Sequence, residues 1–229
     1  MEKSGHKIRF AAVFGSSLNC YYDYFSDIDL LVVCEHEEER KILRSDMLKL
    51  SHKINRVIHL NDYHVDEFER RLLYHDYKLV SILENASFLT GDEDYTKRVK
   101  TLRGNVDDDQ SIQFNQSMGV KSLNQALENL QAFQHCITHS PHDHELTSKS
   151  REFQVMSIRN AHLALGYLLA SQKMRQTGYI TTLKDLLLEE APLMKSLISV
   201  EKRIKRRREI SPQATEKYVL KVQAEYNKS

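Results

Sequence analysis

The chain has no apolar run approaching the ~20 residues that a helix needs to cross a bilayer. That excludes a membrane span of this kind and leaves no reason to place the chain in a membrane. It has only three cysteines, Cys20, Cys34 and Cys136, odd in number, widely separated and without metal-ligand spacing. Such a set argues for a reducing compartment, and a cytoplasmic protein is the expectation. An excess of either charge is missing as well. Lysine and arginine number 33 against 32 acidic residues, a net charge of +1, so no global field draws the chain to a polyanion. The opening MEKSGHKIRF lacks the apolar stretch of a secretory signal. No internal repeat appears, and no Gly-Lys-Ser/Thr triplet follows a glycine turn to make a Walker loop. What remains is 229 residues, 41% hydrophobic and 28% charged, enough for a core, a soluble surface and one large or two modest domains.

The pattern divides near residues 104–110. In the first part strand and helix signals alternate: strands at 9–14 and 28–33, a charged amphipathic helix at 37–53, and a short strand at 57–60. Helical segments at 65–73 and 77–85 follow, then a short run at 87–89 and a helix capped by Asp92 through about Arg103. Gly104-Asn105-Val106-Asp107-Asp108-Asp109 reads as a break. Beyond it, Val120, Leu123, Leu127 and Leu130 recur at helical spacing, as do Ala161, Leu165, Leu168 and Leu169. Thr147 or Ser148 starts the second of these helices and Gly178 ends it. A segment at 182–190 follows, Pro192 opens another helix, and Ser211-Pro212 opens the last. The expectation is an α/β (α+β) domain over 1–106 and an all-α antiparallel helical bundle over 107–229.

The chemistry concentrates in RFAAVFGSSLNCYYDYFSDIDLLVV. Gly15 and Ser16 follow one strand, and ten residues later Asp27-Ile28-Asp29 opens the next. Residues i and i+2 of a strand share a face, so Asp27 and Asp29 can aim two carboxylates at one point. Magnesium prefers such hard oxygen ligands and keeps waters and substrate phosphates in the rest of its shell. Gly15 lets the backbone turn sharply beside an anion, and the N–H groups and hydroxyls of Ser16 and Ser17 can donate to phosphate oxygens. A phosphate cradle facing a divalent-metal site suits the transfer of a nucleotidyl group.

These residues resemble the Gly-Ser-x10-Asp-x-Asp signature of the nucleotidyltransferase superfamily (DNA polymerase beta-like), in its minimal nucleotidyltransferase form. The resemblance extends through the first hundred residues to Phe88-Leu89-Thr90-Gly91-Asp92-Glu93. It implies a mixed sheet with helices on one side, and transfer of an NMP from an NTP to an acceptor hydroxyl with Mg²⁺ or Mn²⁺. By position, Gly15 and Ser16 would hold the triphosphate, and Asp27 and Asp29 the metal. Family members usually carry a third carboxylate in the strand after the intervening helix. Here alternation turns His59 inward, and a neutral imidazole is a poor Mg²⁺ ligand. Asp62 takes that role if the register differs by a residue or two; Glu35 is a weaker choice. A silent, nucleotide- or partner-binding protein therefore stays open beside the enzyme.

The helical half is similar in flavour to HEPN (higher eukaryote and prokaryote nucleotide-binding) bundles through SREFQVMSIRNAHLALGYLLASQK. Residues 111–229 lack the Arg-x4-6-His motif of the HEPN ribonucleases, since Arg159 and His162 stand too close. Arg70-x4-His75-x-Tyr77 matches it inside the first domain, where coincidence is the better explanation. His135, Cys136, His139, His142, Asp143 and His144 are metal-ligand types gathered at a helix end and loop, where polar residues are ordinary. Lys202, Arg203, Lys205 and Arg206 form a basic cluster that suits phosphate or RNA, or simply a solvated helix end. Tyr21, Tyr22, Tyr24 and Phe25 either stack on a base or pack on the sheet. The acceptor would be a protein, an RNA or a small molecule, and the amphipathic helices leave room for a homodimer.

Overall fold

Ile8–Phe14 (β1) and Ile28–Cys34 (β2) pair antiparallel, with Phe14 opposite Asp29 and Val13 opposite Leu30. The chain then leaves the sheet through a helix, Glu37–Ile54 (α1), and returns as Ile58–His64 (β3), parallel to β2. A parallel neighbour requires such a crossover, because a tight turn can only reverse the chain. Two short helices, Val65–Leu73 (α2) and Tyr77–Glu84 (α3), precede Ser87–Gly91 (β4), which pairs antiparallel with the free side of β1. The result is a mixed four-stranded sheet in the order β3-β2-β1-β4. This computed structural model describes residues 8–15, 27–84, 86–91, 95, 97–99, 108–139, 144–177 and 210–228. It divides into two units, Met1–Asp107 and Asp108–Ser229.

The sheet has two different faces. On one, Phe10, Ala12, Leu31, Val33 and Tyr63 pack against Phe68 and Leu72 of α2 and Leu79, Ile82 and Leu83 of α3. On the other, Ala11, Val32 and Cys34 form a smaller cluster with Leu43 of α1. Helices therefore lie on both faces rather than on one side, as the resemblance implied. The reason is visible in α1, which has no buried residue and is held by charge. Its Arg40 and Arg44, one turn apart, both reach Asp62 of β3 at 2.8 Å. Burial alone would raise the Asp62 carboxyl, but hydrogen bonds and charge from Arg44 and Arg40 outweigh it and hold the group below the usual carboxylate range.

β3 runs to His64, four residues beyond the strand that its apolar stretch suggests. Its polar residues are tolerated because each face supplies a partner: Arg40 and Arg44 for Asp62, and Lys78 for Asn61 at 3.1 Å. Between α2 and α3, Asp76 is fully buried and pairs with Arg71 at 2.8 Å, while its other oxygen accepts from the backbone of Lys78. His75 takes a positive φ of 46° in that turn, and both it and Tyr77 are buried. Of the Arg70-His75-Tyr77 match, His75 and Tyr77 thus belong to the core of the first unit, while Arg70 is exposed.

In the second unit, Asp108–His139 (α4) and His144–Thr177 (α5) are long helices, followed by Pro212–Tyr226 (α6). Asp108 and Asp109 belong to α4 rather than to the break, and α5 starts three residues before Thr147. The helices α4 and α5 run antiparallel. Asn115 meets Met174, Gly119 faces Tyr167, and the Ser157 hydroxyl donates to the Ala126 carbonyl. Ser211 caps α6 by accepting from the Ala214 N–H, with Pro212 next, as the sequence predicts. The core joins Leu123, Phe133, Ile158, Leu165, Leu168 and Val219. Residues 178–209, with the segments expected at 182–190 and from Pro192, lie outside the described residues, as does most of the Asp92 helix.

Two stability predictions follow from the packing. Asp62→Asn should cost about 2 kcal/mol at pH 7 by loss of a mostly buried ion pair. A carboxyl depressed by folding stabilises above its unfolded value of about 4 and loses that contribution as pH falls through its folded value. The difference from wild type should therefore shrink toward pH 2 in urea melts followed by circular dichroism. In the second unit, a methyl at Gly119 would overlap the Tyr226 hydroxyl, which donates to the Ala164 carbonyl at 2.6 Å. Gly119→Ala should destabilise by about 1–3 kcal/mol, and Tyr226→Phe in the same chain should recover part of that loss.

Candidate active site

The site lies where the carboxyl end of β1 meets the amino ends of β2 and β3. Asp27 stands just before β2, with the Ile28 N–H already bonded to the Val57 carbonyl at 2.9 Å. Asp29 is paired laterally with Phe14 on one side and His59 on the other. Strand alternation puts Asp27, Asp29, His59 and Asn61 on one face, the face that carries Leu31, Val33 and Tyr63 further along. Nδ1 of His59 lies 3.5 Å from one Asp29 carboxylate oxygen and 3.9 Å from one of Asp27. Asp29 is the less exposed carboxylate, with a side chain 26% accessible against 40% for Asp27.

Gly15 closes the site from the β1 side. Its φ of 79° lies in the left-handed region, and a Cβ there would overlap the Asp29 carboxylate. Both the turn and the close approach demand glycine. Ser16 and Ser17 lie outside the described residues, as do Tyr21, Tyr22, Tyr24 and Phe25.

Lys78 enters from the opposite side. It is the second residue of α3, whose first turn is fixed when Asp76 accepts from the Lys78 and Leu79 N–H groups. Its ammonium donates to the Asn61 amide oxygen at 3.1 Å. Burial lowers the Lys78 ammonium below the usual lysine range. The Asp76 carboxylate opposes that shift, Arg71 adds to it, and Asp29 opposes it again. Sequence reasoning missed Lys78. Its only signal was a lysine just inside a helix start, and the link to Asn61 spans two elements.

The other sequence-based candidates separate cleanly. Asp62 is not brought to the carboxylate pair: one residue from Asn61, it points to the other face and is held by Arg40 and Arg44. Glu35 lies past the far end of β2 and pairs with Arg9. His59 is the β3 residue beside Asp29. Cys34 is a core thiol, pushed up to about 11 by burial and by neighbouring Glu39 and Asp62, and far from nucleophilic. His135 and Cys136 stand near the end of α4, and the rest of that histidine-rich run is not described at side-chain level. Lys202, Arg203, Lys205 and Arg206 also lie outside the described residues.

Among the described residues no group of three or more His, Cys, Asp or Glu gathers into a ligand set for a metal. Two hard carboxylates on one face nevertheless fit a Mg²⁺ ion that completes its shell with phosphates and water. Among the described residues no helix is long and apolar enough to cross a membrane.

No family model matches the chain, and no curated protein matches it. Among solved structures, a nucleotidyltransferase-like protein from Exiguobacterium sibiricum 255-15 is similar at 13% identity with a TM-score of 0.32. That match covers 96% of this chain and 69% of that one. A likeness of this size leaves the chemistry of the site to be argued from its own residues.

Gly15→Ala tests the geometry directly. It should cost about 1–2 kcal/mol from the left-handed backbone alone, plus the displacement of the Asp29 carboxylate. Adding Asp29→Ala removes the overlap but not the backbone strain, so the double variant should regain part of the loss in urea denaturation. Equal, additive losses would mean that Gly15 and Asp29 do not touch.

Proposed function

We propose that the sheet end built from Gly15, Asp27, Asp29 and His59 binds a nucleoside triphosphate with a divalent cation and transfers its nucleotidyl group to an acceptor hydroxyl. The observation that carries this reading is the contact of Gly15 with Asp29. A glycine turn with positive φ stands directly over one of two carboxylates that share a strand face. Phosphate-binding backbone and cation-binding oxygens are thereby adjacent, as an NTP–metal complex requires.

Asp27 and Asp29 would hold Mg²⁺ or Mn²⁺, which would neutralise phosphate charge and favour departure of pyrophosphate. Gly15, Ser16 and Ser17 would hold the triphosphate. The acceptor oxygen attacks the α-phosphorus in line. The new oxygen–phosphorus bond forms as the bond to the bridging β-phosphate oxygen breaks, and the hydroxyl proton passes to solvent or a neighbouring base. The acceptor class follows from the resemblance to minimal nucleotidyltransferases, which favours a protein or an RNA.

A second reading has its own observation. The residue beside Asp29 on β3 is His59 and not a carboxylate. A site so built can hold a nucleotide without turning it over and serve as a binding module. The RNA-binding reading rests on residues 202–208 alone and predicts an RNA affinity that falls steeply with salt.

Transfer of label from each α-³²P-NTP, with Mg²⁺ or Mn²⁺, into a cell lysate and purified small RNAs separates the first two readings. The enzyme should label a protein or RNA band that vanishes with Asp29→Asn, a variant that circular dichroism should show to be folded. No label from folded wild-type protein with any nucleotide or metal would overturn the transfer reading.

A further inference from the structure

The charge around this site differs from that of a site built to bridge two cations. On β3, His59 is the residue paired with Asp29, and Asn61 is the next residue along on the same face, opposite Leu31; neither can carry negative charge. The Asn61 amide oxygen accepts from the Lys78 ammonium at 3.1 Å. Lys78 is held in this place from behind. Asp76 fixes the first turn of α3 through the Lys78 and Leu79 backbones and is itself anchored by Arg71. The ammonium also lies in the field of the Asp29 carboxylate.

We propose that the site takes a single divalent cation on Asp27 and Asp29, and that the Lys78 ammonium supplies from the protein the positive charge a second cation would bring to the triphosphate. This rests on the nucleotide-binding reading above. Two carboxylates and one ammonium leave one net negative charge on this face. A single divalent ion reverses its sign, which suits a polyanionic ligand. A second ion would have only the His59 imidazole and the Asn61 amide on the β3 side, neither of them an anionic ligand, with a fixed ammonium repelling it. Lysine serves well as such a point charge on phosphate.

Mn²⁺ binding measured by electron paramagnetic resonance tests this, with and without the α,β-methylene analogues of ATP, CTP, GTP and UTP. Wild-type protein should bind one Mn²⁺ per chain whether or not an analogue is present. Lys78→Met should weaken the analogue by about tenfold or more, the worth of one charge-assisted contact. The same variant should bind Mn²⁺ alone as tightly as wild type or more tightly, because a repelling charge has gone. Lys78→Arg should restore much of the nucleotide affinity. A purely structural role for Lys78 would weaken both ligands together.

Two Mn²⁺ per wild-type chain would overturn the proposal and leave the nucleotidyltransferase reading standing. Unchanged analogue affinity in Lys78→Met, or parallel loss of both ligands, would also overturn it. Wild-type protein that binds neither Mn²⁺ nor any analogue would bring down the parent reading as well. Should Lys78→Met fail to fold, the wild-type stoichiometry decides alone. His59→Asp supplies the control: an added carboxylate beside Asp29 should raise the count toward two in the presence of analogue.

Discussion

The parallel register of β2 against β3 is the constraint on which the first unit depends. It sets Asp29 beside His59, Leu31 beside Asn61 and Val33 beside Tyr63. Because side chains alternate across a strand, a slip of one residue would exchange every member of each face. Asp62 would then turn toward the carboxylate pair, and Asn61 toward Arg40 and Arg44. Tyr63 would leave the apolar cluster it shares with Phe68 and Leu72. The register is fixed by both ledges of the sheet at once. Apolar packing of α2 and α3 holds one face, and two arginines on α1 hold the other.

That arrangement explains how a strand as polar as Ile58–His64 can sit beside a buried one. Asn61 and Asp62 each have a charged partner, and the partners come from opposite directions. The Arg71–Asp76 pair works at one remove. Asp76 is fully buried, and Arg71, whose basicity burial would lower, is driven instead to a higher range by its hydrogen bond and charge contact with Asp76. Arg71 also lies over the Tyr63 ring at 5.3 Å. One ion pair thus ties the turn between α2 and α3 to β3, and through the start of α3 it sets where the Lys78 ammonium stands. Structure and site share the same few buried charges.

Much of this was legible in the sequence because it is local. The placing of Asp27 and Asp29 on one face needs only strand periodicity, and Gly15 stands where a turn after an apolar run is expected. The same alternation led to His59. What sequence could not supply is non-local. Asp62 looks like an available acid until Arg40 and Arg44 come round on α1, eighteen or more residues earlier in the chain. Lys78 looks like a solvated lysine until α3 folds over Asn61. The extra length of β3 depends on those same distant partners, since its last residues have no apolar pattern. That α1 lies on the opposite face from α2 and α3, where the resemblance implied helices on one side, has a related cause. A helix with no buried residue is placed by its arginines, and their target lies on another strand.

The central claim is that Gly15, Asp27 and Asp29 form one site for a nucleotide and its cation, and calorimetric titration tests it most directly. Each of the four NTPs is titrated into wild-type and Asp29→Asn protein, with Mg²⁺ and with chelator. The account predicts binding of at least one NTP at one site per chain, strengthened by Mg²⁺, with the Mg²⁺ dependence lost in the variant. Equal binding by both proteins, or a wild-type chain that binds no NTP with or without Mg²⁺, would contradict it.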